Sequence, residues 1–360
     1  MDSVSQAVLG AAVAAACVPA RHRRKALLVG AALGTLPDLD VVIDFGDGVR
    51  NMTYHRGFSH SLFMLVPFGL ALWLALRRFW TPVGEAPLAW LAAILLTLVT
   101  HPLLDALTVY GTQLFWPLAT PPVMGGSLFI IDPLYTLPLL AAVVFAATRA
   151  DGSRAGWALA LGLGLSTGYA AWSLIAQHRV DRIAAASLAG TPLADAPRLA
   201  VATPFNTLLW RVVVQTPAGY LEGERSLVAD RGPMVFREHR FDRTLLAEAG
   251  HIWAVQRLLW FSHGFQDARV VGDELHMADL RMGQHPQYFF THAVARRLAG
   301  EWVPGDNRQL AQPRVEDGQL AALWWRVWND PARDAPQAQA AEASPSTANA
   351  GATPATSASK

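Results

Sequence analysis

The first 176 residues of this 360-residue chain are dominated by long, uncharged apolar runs, and no other feature limits its fold as strongly. The hydrocarbon core of a bilayer is about 30 Å thick and takes about 20 apolar residues per helix. Six segments approach that description: 4–20, 26–43, 61–76, 88–104, 128–147 and 156–176. The segment 88–104 stays apolar until it meets His101 and Asp105. Segments 4–20 and 26–43 are rich in Gly and Ala, and the second breaks up at Leu36-Pro37-Asp38-Leu39-Asp40. They read as short or partly inserted helices, with Gly10, Gly30 and Gly34 letting them pack closely. Composition agrees, since 52% of residues are hydrophobic and 16% charged, against about 25% charged in an average soluble domain. The net charge of +1 gives no pull toward nucleic acid, and one cysteine, Cys17, rules out an intrachain disulfide.

The pattern predicts a mainly α chain: a multi-spanning helical membrane bundle over 1–176, then a small α+β extramembrane domain over 177–335, then a tail. Residues 336–360 carry few large apolar side chains, so the tail is expected to be disordered. Within 177–335, the stretches 205–215 and 220–228 read as two strands of a hairpin around Pro217-Ala218-Gly219. The stretch 245–260 reads as a helix, and 269–277 and 277–281 as strands around Gly272-Asp273.

Basic residues suggest an orientation. Arg21-His22-Arg23-Arg24-Lys25, Arg77-Arg78, and Arg149 with Arg154 fall in alternate loops. Such clusters favour the cytoplasmic face of a membrane. The loops 44–60 and 105–127 and everything after 176 then lie outside.

Ionisable groups at a membrane are costly and generally functional. Asp38 and Asp40 stand beside a helix-interrupting proline. His55-Arg56-Gly57-Phe58-Ser59-His60 precedes the third segment, where Gly57 allows a sharp turn. His101 and Asp105, at i and i+4, share one helical face. Asp132 stands before Pro133, where an acid is also an ordinary helix start. Helix alternation carries all four groups to the same membrane face. His and carboxylate ligands suit zinc, manganese or iron, and more than four ligands imply more than one ion. Such sites activate water for ester cleavage.

The motifs Gly34-Thr-Leu-Pro-Asp-Leu-Asp, His55-Arg-Gly-Phe-Ser-His-Ser and Thr100-His-Pro-Leu-Leu-Asp, with the amino-terminal Asp2-Ser-Val-Ser-Gln-Ala-Val-Leu-Gly, resemble the YdjM-like family over residues 1–180 or so. That family comprises inner-membrane proteins regarded as metal-dependent hydrolases. It is distantly similar to zinc-dependent phospholipase C and P1-type nucleases, whose His-x-x-x-Asp ligand pair His101 and Asp105 match in spacing. The resemblance and the residues together predict a hydrolase of a phosphoester or other ester in a membrane lipid or lipid-linked substrate. The metal ligands expected are Asp38, Asp40, His55, His60, His101 and Asp105, with zinc first and manganese next. Asp40 or Asp105 could act as general base and Arg56 could stabilise phosphoryl charge. Two other classes remain open: a non-catalytic protein with a structural metal or polar cluster and an outer binding domain, and a transporter with its polar groups at the bilayer midplane.

Overall fold

The computed structural model describes residues 1–149, 152–312 and 318–331. The predicted tail at 336–360 lies outside the described residues. The N-terminal part is helical: α1 Ser3–Cys17, α2 Arg23–Thr35, α3 Gly48–Tyr54, α4 Leu62–Phe79, α5 Thr81–Glu85, α6 Pro87–Asp105, α7 Pro133–Thr148 and α8 Ser153–Leu188. Among the described residues, α4, α6 and α8 are long and apolar enough to cross a membrane, while α1 and α7 are shorter apolar helices. Several elements depart from the apolar runs for local reasons. Asp132 caps α7 through the Leu134 amide, and Pro133 takes the first helical position, where its missing N–H costs nothing. The helix therefore starts at 133 rather than 128.

Helix α8 runs 36 residues. At about 1.5 Å per residue it spans roughly 54 Å, nearly twice the hydrocarbon core. The boundary expected at 176 falls inside it. Polar residues end an apolar run there without ending the helix, because Ala176, Val180, Ala184 and Leu188 keep one buried face against the first sheet. Spacing of four residues places them in a single row.

Close packing of α1 on α2 depends on glycine. A Cβ on Gly30 would lie 2.2 Å from the Gly10 carbonyl oxygen, and one on Gly34 would lie 2.5 Å from the Gln6 carbonyl oxygen. The basic loops meet at one end of the bundle. Arg23 donates to the Gly152 carbonyl and Arg21 to Glu85, and Arg77 and Arg78 close α4 there. The opposite end carries the start of α4 and the end of α6.

Two antiparallel sheets follow. The first has the order β1 (Arg198–Ala202), β2 (Leu209–Thr216), β3 (Gly219–Ser226), β4 (Arg237–Arg240). Its β2–β3 hairpin pairs Thr216 with Gly219, so Pro217 and Ala218 form the turn. Next come α9 Thr244–Glu248 and α10 Trp253–Phe261, two helices where the pattern predicted one, because the chain turns at Gly250. The second sheet is built from β5 (Gln266–Val271), β6 (Glu274–Asp279), β9 (Thr291–Leu298) and β10 (Glu301–Gln309), in the order β10-β9-β6-β5. The turn falls at Gly272-Asp273 as expected, but Met277 lies within β6 rather than between strands. The short pair β7 (Gly283–Gln284) and β8 (Gln287–Tyr288) and helix α11 Gln319–Trp328 complete the described fold.

The two halves interlock through α3. Val49 and Met52 of this short helix are buried in one core with Leu246, Val255, Leu258 and Leu275. Arg257 of α10 donates to the Thr53 hydroxyl and carbonyl. The second half of the chain thus holds the loop that leads into His55 and His60.

Candidate metal centre

Three chain segments meet at the end of the bundle opposite the basic loops. After α2, Pro37 opens a 3-10 turn, Pro37–Val42. This turn buries Asp40 and leaves Leu39, Val41 and Val42 exposed, so its acids face the protein and its apolar residues face out. The second segment follows α3. Arg56 adopts the left-handed conformation, with φ +59°, which a residue with a Cβ seldom takes unless its surroundings impose it. Gly57 is needed for close approach, since a Cβ there would lie 2.7 Å from the Tyr54 carbonyl oxygen. A 3-10 turn, Phe58–His60, then delivers His60 to the start of α4. The third segment is the last turn of α6, with His101 and Asp105 one turn apart.

Asp38, His60, His101 and Asp105 each offer one ligand atom, and the four atoms lie within 4.8 Å of one another. The Nε2 atoms of His60 and His101 are 3.0 Å apart. Asp105 Oδ2 is 3.2 Å from His60 Nε2 and 3.3 Å from His101 Nε2. Asp38 Oδ1 is 3.3 Å and 3.5 Å from the same two nitrogens. Ligands about 2.0–2.1 Å from a tetrahedral zinc stand about 3.3 Å from one another. The five edges that involve a histidine therefore have the size expected around a single tetrahedral ion, while the group as a whole spans up to 4.8 Å.

Hydrogen-bond logic leads to the same ion. His101 Nδ1 is 2.6 Å from the Gly34 carbonyl. A carbonyl only accepts, so Nδ1 carries a hydrogen, and the neutral ring presents a lone pair at Nε2. Ser59 Oγ donates to Asp40 Oδ2 at 2.5 Å and so accepts from His60 Nδ1 at 2.9 Å. In the neutral ring His60 Nε2 is then also a lone pair. Asp105 Oδ2 is buried and faces the two Nε2 atoms. With both rings neutral, two imidazole lone pairs and two carboxylate oxygens converge, and a divalent cation satisfies all four. The residues present fit a metal. Carbonyl and hydroxyl partners on the far nitrogens are the usual outer supports of ligating histidines. The side chains of His60, His101 and Asp105 are fully buried or nearly so, while that of Asp38 is 16% exposed and forms the open edge.

The six candidate ligands divide into these four and a second pair. Asp40 Oδ1 lies 2.7 Å from His55 Nδ1, and its Oδ2 accepts from the Arg56 amide and Ser59 Oγ. Burial pushes the Asp40 carboxyl up, but the bonds from His55 and Ser59 outweigh it and hold it below the ordinary range. The Arg56 guanidinium is buried, 3.2 Å from Asp105 Oδ1, donates to Thr108 Oγ1, and lies over the Tyr110 ring. Its Nε has no partner. The amino group of Met1 also pairs with Asp105 Oδ1, so one oxygen of that carboxylate faces cations and the other faces the histidines. Asp132 lies at this end of the bundle but caps α7 and accepts from the Tyr169 hydroxyl. It is not among the four. The Gly34 carbonyl and Thr108 have no ionisable side chain, so no motif search based on charge would have selected them.

The family model of the YdjM inner membrane protein matches residues 1–180, the half of the chain that contains every residue of this centre. The uncharacterized protein YfhP of Bacillus subtilis is 31% identical over 146 residues, covering 41% of this chain and 43% of that protein. The inner membrane protein YbcI of Escherichia coli is 36% identical over 91 residues, covering 25% of this chain and 51% of that protein. The chain thus spans about half the length of the curated relatives it matches. No solved structure matches it, and the likeness to phospholipase C and P1-type nucleases stays an expectation.

Proposed function

This chain belongs to the YdjM inner membrane protein family, and from that premise we propose that it is a metal-dependent hydrolase of phosphoester bonds in membrane-associated substrates. The observation that carries the proposal is the convergence of four potential ligand atoms, two imidazole nitrogens and two carboxylate oxygens, at the end of a candidate membrane-spanning helix. A divalent ion held by Asp38, His60, His101 and Asp105 would supply electrostatic activation of water and of a phosphoryl oxygen. Zinc is the ion we favour, because two imidazoles and two carboxylates at this spacing suit it best.

The neighbouring residues divide the remaining work. His55, held at Nδ1 by Asp40, keeps Nε2 for taking a proton from the attacking water, as an imidazole oriented by a carboxylate does in general base catalysis. Asp40 orients His55 and closes the loop through the Arg56 amide and Ser59. Arg56 neutralises Asp105, and we assign its unspent Nε–H to a phosphoryl oxygen. The clustering of Arg21, Arg23, Arg77 and Arg78 at the opposite end supports a cytoplasmic basic face, with the centre and the second half of the chain on the outer side of a multi-pass protein.

The test is hydrolysis of a panel of phosphodiesters and phosphomonoesters by the detergent-purified chain loaded with zinc or manganese, beside His101→Ala and Asp105→Ala. Turnover in the wild type and its loss in both variants is the expected result. Full hydrolysis after either change would overturn the assignment. A purely structural ion is the second reading, favoured by the four protein ligands, which can close a tetrahedral shell without water. Bound metal with no turnover on any ester class would select it.

A further inference from the structure

A cleft of about 620 Å³ separates the loop that carries His55 and His60 from helix α10. Three observations bear on what it holds. The first is charge. Arg257 lines the cleft, and its Nε and one terminal nitrogen donate to the Thr53 hydroxyl and carbonyl, each at 3.0 Å. Its guanidinium also lies 4.9 Å from the Tyr54 ring centre and 4.1 Å from that of Trp260. These partners are all neutral. Among the described residues no carboxylate reaches Arg257, so this cation stands in an aromatic-walled cleft without a counter-charge.

The second observation is the apolar wall. Phe45, Phe58, Trp116 and Leu118 line the other side, and Phe58, Trp116 and Leu118 are substantially exposed. They lead directly to Phe63 and Met64, exposed on the first turn of α4, which is long and apolar enough to span a membrane. Tryptophan with exposed apolar residues at the end of a span marks the bilayer boundary. The third observation is adjacency. Tyr54, Gly57 and Phe58 face the cleft, while Arg56 and His60 of the same segment reach Asp105. One loop is the shared wall of the cleft and the metal centre.

We propose that this cleft binds the phosphate headgroup of an anionic lipid drawn from the adjoining leaflet, with Arg257 as the headgroup receptor. The guanidinium matches phosphate oxygens in charge and geometry, and the apolar wall carries the upper part of the acyl chains. A free inorganic anion would leave that wall without a partner. The proposal rests on the hydrolase reading only for the fate of the bound lipid; binding itself requires neither metal nor turnover.

The experiment uses the full chain in detergent, stripped of metal with EDTA. Intrinsic tryptophan fluorescence follows titration with dihexanoyl phosphatidic acid, dihexanoyl phosphatidylcholine or inorganic phosphate. Trp116, Trp253 and Trp260 line the cleft and report on it. The expected result is saturable binding of phosphatidic acid in preference to the other two. Arg257→Gln should weaken it by about tenfold or more, the value of a lost charge-assisted pair, and Arg257→Lys should restore part of the loss. Ala119→Leu, which fills the cleft and leaves the Thr53 contacts alone, should weaken it as well. Equal binding of inorganic phosphate and phosphatidic acid would overturn the lipid assignment. Unchanged binding in Arg257→Gln would overturn the receptor assignment, and so would normal binding in Ala119→Leu. A wild type that binds the lipid but does not hydrolyse it after reloading with zinc or manganese would support this proposal while the hydrolase reading fails.

Discussion

Replacing Gly34 by alanine should loosen both the helix bundle and the metal centre. The added Cβ would stand 2.5 Å from the Gln6 carbonyl oxygen and 3.1 Å from Gly10 Cα. Both obstacles are backbone, so relief comes only by moving a helix. Carbon–oxygen contacts settle at about 3.3 Å or more, which requires α1 and α2 to separate by roughly 0.8 Å. Overpacking of this kind costs about 1–3 kcal/mol. The Gly34 carbonyl is also the acceptor for His101 Nδ1, at 2.6 Å. A shift of about 0.8 Å takes that contact beyond the usual hydrogen-bond range. Losing the outer partner of a ligating histidine lowers metal affinity by about 10–100-fold. Zinc affinity by chelator competition and thermal unfolding in detergent measure the two effects. Gly164→Ala is the control, because its Cβ would meet nothing within 4 Å. Wild-type zinc affinity in Gly34→Ala would refute the claim that the α1–α2 contact sets the His101 ligand atom.

Two further outcomes follow from the geometry. His55→Gln should retain bound metal and lose about a hundredfold or more in hydrolysis, the usual share of a general base; loss of metal with activity would make His55 a ligand instead. His292 is buried on β9 with Nε2 unpartnered, and burial pushes its imidazole down to about 4. The unfolded chain takes up this proton near 6.5 and the folded chain only near 4, so stability declines as pH falls through that window and levels off below it. The loss amounts to about 3 kcal/mol. Chemical denaturation between pH 7 and 4 measures it, and His292→Leu should flatten the slope.

Much of the bundle was legible because the bilayer sets a length that apolar runs must meet. Three of the predicted segments correspond to α4, α6 and α8. The extent of α8 was hidden by His178, Arg179, Asp181 and Arg182, which read as a soluble domain although a buried row continues behind them. Strand β10 was hidden for a different reason. It is an edge strand that pairs only with β9, and it carries Pro304, Gly305 and Asp306, which do not look like a strand. At the centre, charge asymmetry was enough to bring His60, His101 and the Asp38–Asp40 pair to one end. Which aspartate meets the histidines depends on the phase of a 3-10 turn that Pro37 initiates, and no spacing rule supplies that phase. Nor could spacing show that Asp40 would bind His55, Ser59 and the Arg56 amide, because those bonds require Arg56 in the left-handed conformation. The role of α3 in tying the loop to the second half was invisible, since Val49 and Met52 lie within a short polar stretch.

The central claim is that Asp38, His60, His101 and Asp105 hold a divalent ion. Elemental analysis of the detergent-purified chain, beside the His101→Ala/Asp105→Ala double variant, tests it most directly. The account predicts about one zinc per wild-type chain, as one tetrahedral group would hold, and none above background in the variant. Absence of metal from the wild type after reconstitution with zinc and with manganese would contradict it, and would mean that the four side chains share protons instead.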